Sequence, residues 1–376
     1  MRILTIANTP PYVMGGAEIQ AYHLAKEWVK KGHEVTVAGN RNETGKILFS
    51  EDSNIGINSV KIKIKNYNKF TRALSYTISL SWFLAKKRKK FDIIYCRFVK
   101  EPTIVVCFLK LFGVIDLPLF SCTECTGNRG EAYFLSTFWS SKWIVKLINK
   151  YNNIINIISP DIEKELVSIG LNKEKFSYIP NGTPISSEYF PCNDEKEKKD
   201  LVFVGRLVKR KNVDILIKAV KKLTDSGKNI SLSIIGTGPV ENELKELSDS
   251  LSLQKNIFFM GFVEENKKLE CIAQHKIFVL PSMLEGFGIV VIEAMKIGLP
   301  VIVTNCGGPE FFVDNSVGRV AQAGSVDSLA DSIKDLFSLE TEQLDRMGVS
   351  AQKKVMENYN ILTLAERHLD IFRQLI

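Results

Sequence analysis

Short apolar runs alternate along this chain with longer stretches whose apolar residues recur at helical spacing. The first run, MRILTIAN, has no polar alternation, as expected of a strand covered on both faces, and predicts a strand over residues 3–7. A loop with Pro10, Pro11, Gly15 and Gly16 follows. Ile19, Tyr22, Leu24, Ala25, Trp28 and Val29 then line one helical face, predicting a helix over residues 17–31 that Gly32 closes. Residues 34–38 make the next strand. Strand, glycine loop, helix and strand is the repeating unit of a parallel sheet. Further strands are expected at residues 92–96, 118–122 and 154–159. The polar run NDEKEKKD within residues 192–200 reads as a linker. Beyond it the pattern restarts, with strands at 201–204, 231–235, 257–260 and 277–280 and helices at 212–226 and 240–251. IVVIEAMKIG then reads as a helix stopped by Gly298, and LPVIVTN as a strand. A final amphipathic stretch, residues 361–376, carries Leu364, Leu369, Ile371 and Phe372. No short internal repeat is found.

A length of 376 residues exceeds one ordinary core and implies two domains. The N-terminus shows no cationic region before an apolar stretch with a small-residue cleavage site, so it reads as a strand and not a secretion signal. The most apolar stretch, residues 103–120, is interrupted by Lys110, Gly113, Asp116 and Pro118. A spanning helix needs about 20 apolar residues, so a buried helix, a turn and a strand are expected here and no membrane span. The seven cysteines are irregularly spaced; Cys122 and Cys125 have no second pair or histidine at metal-site distance. The expectation is a reduced, cytoplasmic enzyme.

Charge changes this picture in one place. Residues 1–190 hold 26 Lys and Arg against 16 Asp and Glu, although the whole chain nets only +8. Residues 61–100 hold twelve bases and one acid, Asp92. Within them Phe70, Leu74, Ile78 and Trp82 recur every four residues, ahead of Lys86, Lys87, Arg88, Lys89 and Lys90. An apolar face with aromatics and a basic flank suits an anionic membrane surface. A helix that turns the same face to the core and ends in a solvated basic turn fits equally well. No nucleic-acid motif accompanies the bases, and nucleic acid is not expected as a partner.

The candidate chemistry lies in the second half. Residues 281–310 read PSMLEGFGIVVIEAMKIGLPVIVTNCGGPE. Glu285 precedes the turn Phe287-Gly288, Ile289 opens a helix, and Glu293 sits within it. First-turn N–H groups attract an anion such as a diphosphate. A carboxylate on either side of that anion suits the hydroxyls of a sugar and of a ribose. Upstream, Gly205-Arg206 ends a strand and Lys211 follows; an arginine fork and a lysine point charge suit a diphosphate. Gly236 and Gly238 form a GxG turn after another strand, a weak signal alone. Gly15 and Gly16 form a side-chain-free loop ahead of the first helix, with Glu18 as a cap or a contact.

This block resembles the donor-binding signature of retaining glycosyltransferases with the GT-B fold, glycosyltransferase family 4. The resemblance implies an α/β fold of two Rossmann-like doubly wound domains facing a cleft. It places an acceptor-side domain at residues 1–190, a nucleotide-sugar domain at 191–355, and a last helix, 356–376, packed back on the first domain. It implies catalytic roles for Glu285, Arg206 and Lys211. It implies donor contacts for Gly15, Gly16, Gly236, Gly238, Phe262, Val263, Phe287, Gly288, Ile289 and Glu293. Pro180-Asn181-Gly182 matches a structural turn of the family. Many relatives carry a histidine after the strand at 118–122; this chain has Glu124 there, in SCTEC, which can hydrogen-bond a sugar hydroxyl or act as a base. His23, His33, His275 and His368 offer no replacement.

The activity implied is transfer of a sugar, with retention, from a nucleotide-diphosphate donor to a hydroxyl of a lipid-linked or envelope saccharide. No cofactor beyond the donor and no metal is expected, Arg206 and Lys211 taking a metal's place. A non-hydrolysing sugar-nucleotide epimerase and a non-catalytic sugar-nucleotide-binding partner remain as alternatives. The implied location is the cytoplasm, at the inner face of the membrane if the basic helix binds lipid.

Overall fold

Val- and Ile-rich runs without polar alternation become the central strands of two parallel sheets, because helices cover such sheets on both sides. The computed structural model describes residues 1–47, 55–65, 67–185 and 199–376. Two units are formed, Met1–Pro184 with Ile361–Ile376, and Ile185–Asn360. The expected linker, residues 192–200, and the expected boundary at 190/191 lie largely outside the described residues; Lys199 and Asp200 already belong to a strand.

The first unit holds β1 (Arg2–Ile6), β2 (Glu34–Gly39), β3 (Gly45–Lys46), β4 (Asn58–Lys61), β5 (Ile93–Cys96), β6 (Leu119–Cys122), β7 (Ile154–Ile157) and β8 (Phe176–Tyr178). Their order is β3-β4-β2-β1-β5-β6-β7-β8, parallel throughout except for the β3–β4 pair. Strand order reverses direction at β1, which pairs with β2 on one side and β5 on the other. The helix Gly16–Lys30 connects β1 to β2.

The second unit holds β9 (Lys199–Val204), β10 (Leu232–Ile235), β11 (Ile257–Gly261), β12 (His275–Leu280), β13 (Val301–Thr304) and β14 (Gly318–Ala321), in the order β11-β10-β9-β12-β13-β14, all parallel. Here the reversal falls between β9 and β12, which are hydrogen-bonded neighbours. Ligands of open parallel sheets bind beyond the strands' C-terminal ends at such a reversal.

The expected strands appear within two residues of their predicted ends. Of the strands not expected, β3, β8 and β14 are edge strands and β4 lies next to an edge; their sequences, GK, FSY, GRVA and NSVK, lack the apolar run that marks a central strand.

The chain leaves the first unit after Pro184 and returns at Ile361, whose N–H donates to the Thr183 carbonyl at 3.1 Å. The last helix, Ile361–Leu375, packs on the first helix through Trp28. The Trp28 ring lies 5.3 Å from that of Phe372 and 5.3 Å from that of Tyr95, and its Nε1 donates to the Ala365 carbonyl at 3.2 Å. Edge-to-face contacts of this kind add to the burial of the rings. His368 sits inside this cluster, where burial pushes its imidazole down to about 3.

The basic helix, Lys69–Lys87, corrects one of its two readings. Its core contacts are made by the fully buried Leu80 and Leu84. Phe70 is 75% exposed and Trp82 65%, and Leu74 and Ile78 are exposed with them, so the core-facing reading of this stripe fails. The two stripes lie on different helical faces, which sequence periodicity does not rank. Among the described residues no helix is long and apolar enough to cross a membrane.

Candidate active site

Every strand of the second sheet ends in a loop at the same edge, and the sequence-predicted residues of this unit lie on those loops or the helices that follow. After β9 come Gly205, Arg206 and a 3-10 turn, Lys209–Lys211, closed by Asn212 at φ 57°. After β10 comes Gly236-Thr237-Gly238. These loops touch directly: the Leu207 N–H donates to the Thr237 carbonyl at 2.9 Å. A Cβ on Gly236 would stand 2.1 Å from the Gly205 carbonyl oxygen, and one on Gly238 2.1 Å from that of Leu207. Loop-against-loop packing therefore already requires both glycines.

The reversal between β9 and β12 brings Lys211 and Glu285 together. Lys211 Nζ donates to Glu285 Oε1 at 2.5 Å, Ser282 Oγ donates to the same oxygen at 2.7 Å, and an Arg210 guanidinium nitrogen lies 3.5 Å away. Both Lys211 and Glu285 are buried. Burial alone would raise the Glu285 carboxyl; the Lys211 and Arg210 charges outweigh it and hold the group below its ordinary value. Backbone bonds fix the segment. The Met283 N–H donates to the Arg210 carbonyl at 2.8 Å, Arg210 donates back to the Leu284 carbonyl at 3.2 Å, and the Glu285 N–H donates to the Cys306 carbonyl at 2.9 Å. Lys209, which competes with Arg206 and Lys211 in sequence, is exposed.

Gly288, at φ +88°, turns the chain into the helix Ile289–Lys296, and as its N-cap residue offers no side chain to cap the first turn. Phe287 faces inward, its ring 5.0 Å from that of Phe312, so only its backbone is placed to meet a ligand. Gly308 backs this turn; a Cβ there would meet the Phe287 nitrogen at 2.8 Å. The Gly307 and Gly308 N–H groups donate to the Glu310 carboxylate at 2.6 and 2.9 Å.

Glu293 is not joined to Glu285. It is buried in an ion pair with Lys268, a residue the sequence did not single out. Arg206 is exposed, and its guanidinium makes no hydrogen bond or ion pair among the described residues. Phe262 is exposed beyond β11 and Val263 half-buried.

The first unit has its own polar constellation at its reversal. Gly15 precedes and Gly16 opens the helix Gly16–Lys30; Glu18 lies in its first turn, its carboxyl raised by burial. Glu124, beyond β6, is buried, and its Oε1 lies 2.5 Å from Nε of the buried Arg97, which follows β5. Arg97 also donates to Asn181 Oδ1 at 2.8 Å and to the Tyr95 hydroxyl at 2.7 Å. Glu131 accepts from the backbone N–H groups of Glu124 and Cys125 at 3.0 and 3.3 Å and so fixes this loop. Burial, with the Glu131 and Glu18 charges nearby, pushes Glu124 up to about 8 against the attraction of Arg97. Asn181 belongs to the PNG turn, so that turn is tied to Glu124 through Arg97. Among the described residues neither Cys122 nor Cys125 is joined in a disulfide.

The Lys211–Glu285 pair yields a stability test. Lys211→Met leaves a buried carboxylate with Arg210 and Ser282 as remaining partners, and should cost about 3 kcal/mol, the low end for breaking a buried pair. Lys211→Met/Glu285→Gln should recover most of this in urea unfolding followed in the second unit. Equal losses in the single and double variants would show that the charge pair is not what couples the loops. The sign with pH follows from the depressed carboxyl: its stabilisation is present above the ordinary carboxylate value and is lost as pH falls through the folded one.

Comparison with known proteins agrees along the whole length. Residues 14–187 match glycosyltransferase family 4, and residues 187–354 match the glycosyl transferases group 1 family. An uncharacterized glycosyltransferase of Methanocaldococcus jannaschii is 24% identical over 387 residues, covering 97% of this chain and 95% of that protein. The phosphatidylinositol N-acetylglucosaminyltransferase GPI3 subunit of Saccharomyces cerevisiae is 22% identical over 382 residues, covering 96% and 80%. Among solved structures, Anabaena Alr3699/HepE in complex with UDP superposes with a TM-score of 0.78 at 19% identity, with 100% of each chain covered. The chain belongs to the group 1, family 4 glycosyltransferases and is a glycosyltransferase with the GT-B fold.

Proposed function

We propose that this glycosyltransferase moves a sugar, with retention, from a nucleoside diphosphate donor to a hydroxyl of a lipid-linked or envelope saccharide. The observation that carries the donor reading is the ion-paired Glu285 at the sheet reversal, beside a helix whose N-cap residue, Gly288, has no side chain to cap it. A diphosphate on that turn is met by backbone N–H groups and, from the β9 loop, by the exposed Arg206. Lys211 already has its charge balanced by Glu285. Its part is then to fix the carboxylate that accepts from the sugar hydroxyls, and Arg206 with the helix supplies the net positive charge that a metal supplies elsewhere.

In the reaction, the bond from the anomeric carbon to the diphosphate breaks on the face that the acceptor oxygen attacks. The acceptor proton passes to the departing phosphate oxygen. The protein's share is position and charge stabilisation. Glu124, set by Arg97 and Glu131, is placed as a fixed polar group in the first unit where relatives use histidine. UDP bound to the structural relative supports a nucleoside diphosphate donor. The phosphatidylinositol named for the yeast relative supports a lipid-borne acceptor.

Nucleoside diphosphate release from a panel of nucleotide-sugars, with and without lipid-linked acceptors, tests this reading. Release that depends on the acceptor, with the product's anomeric configuration retained, is expected. An epimerised donor without release, or binding without turnover, contradicts it. With the productive donor, Glu293→Ala should mainly raise KM and Glu285→Ala mainly lower kcat. Wild-type kinetics in both would remove this segment from the site.

The lipid reading adds a surface. Tyr67, Phe70, Leu74, Ile78 and Trp82 are exposed ahead of five consecutive bases, and Lys86 Nζ lies 4.8 Å over the Trp82 ring. Each base near an anionic bilayer adds about 1 kcal/mol. Co-sedimentation with phosphatidylglycerol vesicles should fall when Lys86, Lys87, Arg88, Lys89 and Lys90 become glutamine, and when salt is raised. Binding indifferent to both changes would return the basic turn to a solvated surface.

A further inference from the structure

Glu293 owes its setting to a neighbour outside the segment 281–310 that carries both glutamates. Lys268 lies on the helix Glu265–Ala273, which follows β11, and Glu293 on the helix Ile289–Lys296, which follows β12. Lys268 Nζ stands 2.9 Å from Glu293 Oε1 and 2.8 Å from Oε2, so it meets the carboxylate across both oxygens. It also donates to Glu265 Oε1 at 2.6 Å. The Lys268 side chain is 12% exposed and that of Glu293 9%. Such a pair is costly to desolvate, and an apolar pair of similar volume often serves stability as well. Stability alone therefore does not account for the pair.

The geometry fits a part in ligand binding. Each carboxylate oxygen accepts about two hydrogen bonds. Lys268 donates to Oε1 and stands in ion-pair contact with Oε2, so the carboxylate keeps acceptor capacity for a ligand hydroxyl. Lys268 with its two glutamates carries a formal charge of −1, which favours neutral hydroxyls over a phosphorylated sugar. We propose that Lys268 is a positioning residue for the donor's nucleoside. It holds the Glu293 carboxylate oriented to accept the ribose 2′-hydroxyl, and so selects ribonucleotides over deoxyribonucleotides. This rests on the reading that Glu293 faces the ribose. Burial outweighs the Lys268 and Lys296 charges and, with Glu265, raises the Glu293 carboxyl above its ordinary value, Lys268 being the main charge that opposes the rise. Lys268 itself is raised despite its burial, because both carboxylates hold its proton.

Calorimetric titration with UDP, GDP and their 2′-deoxy analogues tests the proposal. The wild type should prefer the ribo form of its cognate nucleotide by about tenfold, as expected for a hydroxyl bound to a charged acceptor. In Lys268→Met this ratio should fall to about twofold or less, and Lys268→Arg, which keeps the charge, should restore most of it. Where Lys268→Met does not fold, Lys268→Gln, which keeps one hydrogen bond without the charge, should give an intermediate ratio. A merely structural lysine would weaken both forms equally and leave the ratio unchanged; that outcome overturns the proposal while the ribose reading of Glu293 stands. A wild type that binds ribo and deoxyribo forms alike overturns both.

Discussion

A buried carboxylate has to be paid for, and in the second unit Glu285 is offset by Lys211. That pair binds the loop after β9 to the loop after β12, the two strands on either side of the reversal in strand order. Neither loop is otherwise free to shift. Arg210 ties residues 283–285 to the first loop by backbone and side-chain bonds, and the Cys306 carbonyl ties Glu285 to the loop after β13. Gly236 and Gly238 let the loop after β10 close on the loop after β9 without a side chain between them. The cost of burying one charge is thus met by a lattice of contacts that sets the whole strand-end surface, which is the preorganisation that charge stabilisation of a leaving group requires.

The first unit solves a similar problem differently. Its buried carboxylate, Glu124, is matched by Arg97, whose guanidinium also donates to Asn181, the Tyr95 hydroxyl and the Cys122 sulfur. An arginine fork serves several acceptors at once where a lysine serves a more compact set. The same network fastens the PNG turn, which precedes the point where the chain leaves this unit. The aromatic cluster of Trp28, Tyr95, Phe120 and Phe372 lies beneath and joins the returning C-terminal helix to the sheet.

Much of this was legible in the sequence, for identifiable reasons. Central strands such as β5 and β13 are uninterrupted apolar runs, and a glycine closes the first helix. Glu285, Lys211 and the glycine turns stood in a motif whose spacing reflects loops at one sheet edge. What could not be read were relations across long separations. Lys268 sits in ENKKLECIA, where it looks like any solvated helix base, and its partner lies 25 positions on. Arg97 and Asn181 are 84 positions apart and Arg97 carries no local motif. Ser282 and Glu131 act through hydrogen bonds that no periodicity encodes. The helix Lys69–Lys87 showed a clear apolar stripe, but a second one, through Leu80 and Leu84, takes the core, and only packing decides between them.

The central claim is that the strand ends of the second unit hold a nucleoside diphosphate, with Arg206 on the phosphates. Calorimetry on the wild type and Arg206→Ala, with the cognate nucleoside diphosphate and with the bare nucleoside, tests it most directly. The account predicts that the variant loses on the order of 1.5–3 kcal/mol for the diphosphate and almost nothing for the nucleoside. Equal losses for the two ligands, or none for either, would contradict it.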